Sequence, residues 1–250
     1  LQSAIVDSSG NSVGIPDGSG GVTLTKAQYD AGIKLMPPAN YFGDITLGVT
    51  ATTRDGTSTA SSTQNLTVTF AAVSEEPVVS ISGDLSGTED TTSDTASGDG
   101  VALTNVTLSI ADAGAVASAN GKILITNTND SALSGVRVNT TGLTDGGITV
   151  SPSGNAGEWT VTGATSVSQL QSALQQLKVV GPEDYAGAMK VAVSVNAAEE
   201  DGDGNSVPAS PYASGSFTVN LSAVAEEPTL TVSNITDAVE DASKPLNASI

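Results

Sequence analysis

The feature that most constrains this chain is a repeat. Ser74-Glu75-Glu76-Pro77, followed by the acidic pair Glu89-Asp90, returns as Ala225-Glu226-Glu227-Pro228 followed by Glu240-Asp241. From proline to proline and from pair to pair the step is the same, 228 − 77 = 240 − 89 = 151 residues. A chain that repeats at such a period is built of modules in series, and here carboxylates gather at each handover. The expected division is 1–76 as the C-terminal part of one module, 77–227 as a complete, enlarged module, and 228–250 as the start of a third. The chain begins at Leu1 without an initiator Met and ends at Ile250 inside the repeating pattern, so a fragment of something longer is expected.

Composition narrows the class. Aromatic residues are 3% and charged residues 14% of the chain, with 27 glycines among much Ser, Thr, Val and Ala. That mixture favours short strands and turns over long helices. A net charge of −19, from 27 acids against 8 bases, repels nucleic acid and anionic membranes and makes cations the natural partner. Cysteine and histidine are both absent. Disulfides, thiolate metal sites, Cys nucleophiles and the usual general base are thereby excluded.

Period-two alternation marks the strands. Ile45, Leu47, Val49 and Ala51 form one, and Leu66, Val68, Phe70 and Ala72 another, predicted as a hairpin across a polar loop from Arg54 to Thr63. The second module opens with a strand at Val78 to Ser82 and a polar turn region from Gly83 to Gly100. Further strands are predicted around Val106, Ile123, Val136, Ile148 and Trp159. Val167, Leu170, Leu174 and Leu177 fall instead at helical spacing, and Ser166 with Gln169 fits a capping box. Thr25 with Gln28 predicts a single helical turn at the matching place in the first module. Pro182 to Gly187 then matches Pro38 to Gly43. A strand through Met189, Val191, Val193 and Val195, a long acidic loop, and a strand through Phe217, Val219 and Leu221 close the module.

These elements predict an all-β chain of tandem antiparallel β-sandwiches, of immunoglobulin-like or cadherin-like type, with one short helix in the second module. Such a sandwich needs about 100 residues. The surplus of the second module is placed between Gly114 and Gly157, as extra strands or an elaborated loop.

Strand direction then sorts the acids by pole. The first strand of the second module runs away from Pro77, so Glu89 and Asp90 past its end should lie near the next handover. The last strand ends there at Glu226 and Glu227, and its hairpin partner starts there, beside Glu183 and Asp184. The loop holding Glu199, Asp201 and Asp203 should return to Glu75 and Glu76 at the opposite pole, and Glu240 with Asp241 repeats the pattern in the third module. Two carboxylates about 4 Å apart repel by roughly 4 kcal/mol at an effective dielectric near 20. No Lys or Arg lies within these clusters, so either they splay into water or a hard cation joins them. Ca2+, with six to eight oxygen ligands and flexible geometry, suits loops and linkers better than Mg2+. Asp201-Gly202-Asp203-Gly204-Asn205 resembles the opening of an EF-hand loop, but its twelfth position is Tyr212. It therefore reads as a turn able to lend one or two ligands.

The order PPANYFGDITLGVTAT, a polar loop, NLTVTFAAVSEEPVVSI and then TED resembles the extender repeats of giant RTX-type bacterial surface adhesins. The likeness covers most of the chain, least at residues 1–20 and 112–157. It implies a secreted, extracellular, cell-surface protein whose repeats hold a binding tip away from the cell for attachment or biofilm formation, with calcium at the linkers. It implies partners too: neighbouring repeats of the same chain, and neither nucleic acid nor membrane insertion. The linker here is Glu-Glu-Pro where the family has a single acid, and the RTX nonapeptide is absent. The alternative reading makes the enlarged second module itself a ligand-binding or self-association domain. No enzymatic activity is expected, because acids at the poles of a sandwich do not make the cleft that a carboxylate-pair hydrolase needs.

Overall fold

The computed structural model describes residues 4–89, 100–111, 116–201, 204–225, 230–232, 234, 240, 243 and 248–249. It is mostly β, with 51% strand, 7% helix and several sheets.

The first segment carries β1 (Ala4–Val6), β2 (Ile15–Pro16), β3 (Val22–Thr23), α1 (Lys26–Asp30), β4 (Lys34–Met36), β5 (Gly43–Asp55) and β6 (Ser58–Phe70). β1 pairs with β4, β2 with β3 and β5 with β6, all antiparallel. The Thr25 capping box closes as expected: Gln28 N–H donates to Thr25 Oγ1 at 3.2 Å and Thr25 N–H to Gln28 Oε1 at 2.8 Å. Ile45 faces Val68 and Leu47 faces Leu66, the predicted hairpin. Its polar loop is a correction, because the strands run on to Asp55 and Ser58 and leave only Gly56 and Thr57 between them. The physical reason is hydroxyl pairing across the strands. Thr50 with Thr63 (2.9 Å) and Thr52 with Ser61 (2.8 Å) hydrogen-bond side by side, and β-branched Thr suits a pleated surface even where it is polar.

The second segment holds the core. Its elements are β7 (Val78–Ile81), β8 (Leu85–Thr88), β9 (Val101–Ala102), β10 (Val106–Ser109), β11 (Val116–Asn127), β12 (Arg137–Asn139), β13 (Thr149–Pro152), β14 (Glu158–Ala164), α2 (Val167–Gln176), β15 (Lys178–Val180), β16 (Gly187–Glu199) and β17 (Ala213–Ser222). β18 (Thr231–Val232) and β19 (Ala248–Ser249) pair beyond it. One six-stranded sheet runs β13-β14-β11-β16-β17-β8. The β7-β10 pair, α2 and the three-stranded sheet β12-β15-β9 contribute side chains to the same buried cluster. Residues 116–157 therefore hold strands, and β11 is central: Ile123 and Ile125 are fully buried and it pairs with β16 over most of its length.

Three further differences from the sequence reading have local causes. The Gly83 to Gly100 region contains β8, and its pairing with β17 is parallel, so the sheet is mixed where an antiparallel one was expected. At Gly83 (φ +124°) the chain leaves β7 in one layer and enters the other, and Asp84 Oδ1 takes the Thr218 N–H at 2.8 Å. A strand that switches layers in this way enters beside its new neighbour in whatever direction it already runs. The capping of α2 is also shifted by one residue. Gln169 N–H donates to Ser166 Oγ as expected, but Gln169 Oε1 accepts from Thr165 N–H, not from Ser166.

Helix α2 is tied to its surroundings on two sides. Val167, Leu170, Ala173 and Leu174 are buried, each large side chain removing apolar surface worth roughly 1.5–3 kcal/mol. Gln171 and Gln175, one turn apart, satisfy the edge of β10: Leu108 N–H donates to Gln171 Oε1 at 2.6 Å and Gln175 Nε2 donates to Val106 O at 2.7 Å.

Candidate functional site

Strand β16 carries the core-facing row Met189, Val191, Val193, Val195 and Ala197, all fully buried, and the next residue in that row is Glu199, 4% exposed. The sequence predicts Glu199 in the loop. It ends the strand instead, because β11 continues alongside it as far as Val116. A carboxylate there needs hydrogen-bond donors. One comes from the acidic joint, where Glu75 N–H donates to Glu199 Oε1 at 3.2 Å. In return Glu199 N–H donates to Ser74 Oγ at 3.0 Å. So Glu199, expected beside Glu75 and Glu76, does meet Glu75, across more than 120 residues of sequence. Ser74 was not anticipated. Glu76 is exposed, and Pro77 beside it is buried.

Asp201, two residues on, sits in a tight turn. Asn205 N–H donates to Asp201 Oδ1 at 2.8 Å, Gly204 N–H to Asp201 O and Asp201 N–H to Asn205 O. The same loop occurs at Asp7 to Asn11, Asp17 to Gly21 and Asn127 to Ser131. In each, the first residue's side-chain oxygen takes the N–H of the fifth, and the fourth residue has positive φ (Gly10, Gly20, Asp130, Gly204). Two of the four, Asp7 to Asn11 and Asp201 to Asn205, share the sequence pattern Asp-x-x-Gly-Asn. The loop is a turn ending in a left-handed residue, which explains the glycines without invoking a ligand.

These bonds act on acidity. Donation from the Asn11 backbone holds the Asp7 carboxyl below the usual aspartate value, and the Ser19 backbone and hydroxyl do the same for Asp17. A lowered folded pKa contributes stability that is present above the unfolded value and is lost as pH falls through the folded one. Carboxyl-resolved NMR titration should therefore find Asp7 and Asp17 titrating below an ordinary aspartate, with the Asn11 and Gly21 amide shifts following the same curves. Titration at the ordinary value would mean that the loops are not held in solution.

At the other pole the sheet register brings the acids to one end. Glu89 N–H donates to Ser222 O at 2.9 Å, and Val224 N–H donates to Glu89 Oε1 at 2.7 Å, so Glu89 is fixed beside the end of β17. Gly187, which opens β16, pairs with Leu221 on the same strand. Glu183 and Asp184 lie just before it and are exposed. Their turn has a close copy. Tyr185 N–H donates to Pro182 O as Tyr41 N–H does to Pro38 O. Tyr185 Oη donates to Ala188 O at 3.0 Å as Tyr41 Oη does to Asp44 O at 2.8 Å. Asp184 (φ 55°) and Asn40 (φ 59°) take the same left-handed conformation, which Asp and Asn tolerate best among non-glycine residues. Position 184 therefore has a backbone role that Asn fills equally well.

The chain matches no family model and no curated protein. Among the described residues no group of three or more acids is gathered so as to hold a metal ion. Asp90, Asp203, Glu226, Glu227 and Asp241 lie outside the described residues, and Glu240 is exposed. Each candidate cluster is thus described only in part, with Glu75, Glu76, Glu199 and Asp201 at the first joint and Glu89, Glu183 and Asp184 towards the second. No helix among the described residues is long and apolar enough to cross a membrane.

Proposed function

We propose that this chain is a spacer region of a long extracellular bacterial adhesin, built from tandem immunoglobulin-like or cadherin-like β-sandwiches whose joints are stiffened by calcium. The observation that carries this reading is the joint itself: a nearly buried carboxylate at the end of one core, Glu199, is hydrogen-bonded to the backbone of the acidic segment that leads into it. Repetition supports it. In the first segment the order β1, β2, β3, α1, β4, β5, β6 and its three pairings recur as β12, β13, β14, α2, β15, β16, β17. The two tyrosine turns match bond for bond.

In this reading Ca2+ is held at the first joint by Glu75, Glu199 and Asp201 with Asp203, and at the second by Glu89 and Asp90 with Glu226, Glu227 and the Glu183-Asp184 turn. Carboxylate and carbonyl oxygens from loops suit its variable coordination. Sites of extracellular modules bind at roughly 10⁻⁴–10⁻³ M, and saturation at about 100 times the dissociation constant stabilises the bound state by about 2.7 kcal/mol. The spacer role needs no catalytic group.

Small-angle scattering and thermal melting of the chain, in calcium and in chelator, test the proposal. Calcium should narrow the distribution of shapes and raise the melting temperature. An identical scattering profile and melting temperature in both conditions would overturn calcium stiffening.

A further inference from the structure

The chain enters and leaves the second segment at opposite ends of one strand. Ser74 and Glu75 are held by Glu199, which lies on β16 beyond the pair Val195 and Ala213 that marks the start of β17. Val79 and Ile81 of β7 stand over that start, since a side chain on Gly215 would meet their carbons at 3.0 and 2.9 Å. β8 then runs beside the last residues of β17, with Leu85 opposite Val219 and Thr88 opposite Ser222. From Ser74 to Glu89 the chain therefore follows β17 from its beginning to its end, and Ala225 departs from that end.

Direction decides what a pull does to this arrangement. Tension along the chain draws Pro77 back past the start of β17 and Ala225 away from its end. Because β8 and β17 are parallel, the two pulls drag them in opposite senses along a common axis. The hydrogen bonds between them are then loaded together, in shear, whereas prising the strands apart from one end loads the bonds one after another. Even after β7 has left β10, force still crosses from β8 to β17, the one strand with which β8 is paired among the described residues.

Carboxylates fasten the pair at both ends. Asp84 Oδ1 accepts the Thr218 N–H at 2.8 Å just before β8. Just after it, Glu89 Oε1 accepts the Val224 N–H at 2.7 Å, beside the bond from Glu89 N–H to Ser222 O at 2.9 Å. Hydrogen bonds to a charged acceptor are roughly twice as strong as neutral ones.

We propose that β8 and β17, fastened at Asp84 and Glu89, form a clamp that bears tension along the chain, so that a stretched second segment opens by shearing this pair. The inference rests on the tandem spacer reading for the direction of pull, and not on calcium.

A chain without cysteine allows force to be applied at chosen points. Single-molecule pulling on the full chain, in chelator, compares handles at Val73→Cys and Ala225→Cys with handles at Thr91→Cys and Ala225→Cys. The first pair shears the clamp and should open it at a force roughly twofold or more above the second, which peels β8 from β17. Under shear at constant force, Asp84→Ala and Glu89→Pro should each speed opening by roughly tenfold. Val150→Ala, in β13 at the far edge of the sheet, should lower the melting temperature and leave the opening rate close to that of the parent. Equal opening forces in the two geometries overturn the proposal. So does a shear rate that Asp84→Ala and Glu89→Pro leave unchanged, or that Val150→Ala raises as much as they do. Scattering that ignores calcium would overturn the stiffened joints and leave these force measurements as they are.

Discussion

Leu170→Ala should lower the stability of the second segment by about 2–5 kcal/mol, the range for truncating a large aliphatic side chain in a packed core. Leu170 is fully buried, and its Cδ1 lies 3.4 Å from the point where a side chain on Gly121 would begin. The helix thus packs against β11 at Gly121, where Leu170 lies within van der Waals reach of the strand. Alanine at 170 would open a void against a central strand that cannot move inward without breaking its pairing to β16. The same helix holds β10 through Gln171 and Gln175, which bond to its backbone. In a segment of this size, roughly 2–4 °C of melting temperature is lost per kcal/mol, so a drop of about 4–20 °C is expected. Leu47→Ala in the half-covered β5 should cost far less. Equal effects at the two sites would show that the first segment is packed in solution by something the described residues do not include.

The contrast between those two leucines also explains what the sequence could reveal. Alternation at Met189 to Val195 and helical spacing at Val167 to Leu174 report burial, and burial is decided by side chains that the sequence displays. The extent of β5 and β6 was harder to see because beyond Val49 their pairing depends on Thr and Ser hydroxyls, which look like loop residues in a hydropathy pattern. Strand β8 is four residues long and its direction follows from a layer change at Gly83, a tertiary event with no periodic signature. Glu199 was misplaced for a related reason. A Glu after two alanines reads as the start of a polar loop, yet β11 extends far enough to keep it in the sheet, and Ser74 and Glu75, distant in sequence, hydrogen-bond to it there. Pole sorting by strand direction did bring Glu199 to the first joint, since direction needs only the order of strands. It could not foresee that Asp201 and Asp184 have turn-forming roles of their own.

Substitutions at Glu199 separate two roles that one side chain combines. Glu199→Ala removes the acceptor for the Glu75 N–H and leaves that donor at a partly buried joint, a loss of about 1–3 kcal/mol when the group is not rehydrated. Amide exchange at Glu75 should rise, and the joint should loosen even in chelator. Glu199→Gln keeps a carbonyl oxygen at the same place, so the Glu75 bond survives while the negative charge is gone. Without metal this variant should scatter and melt close to the parent chain. With calcium the outcomes divide: under the proposed function a hard cation at the joint needs the carboxylate, so the glutamine variant should lose any calcium-dependent rise in melting temperature expected of the parent. If the glutamine variant keeps the full calcium response, Glu199 is a hydrogen-bonding clasp only and any cation lies at the second joint. If both variants behave as the parent does in chelator, the bond between Glu199 and the Ser74-Glu75 segment does not hold the joint at all, because a buried carboxylate that fixes a linker cannot be deleted without releasing it.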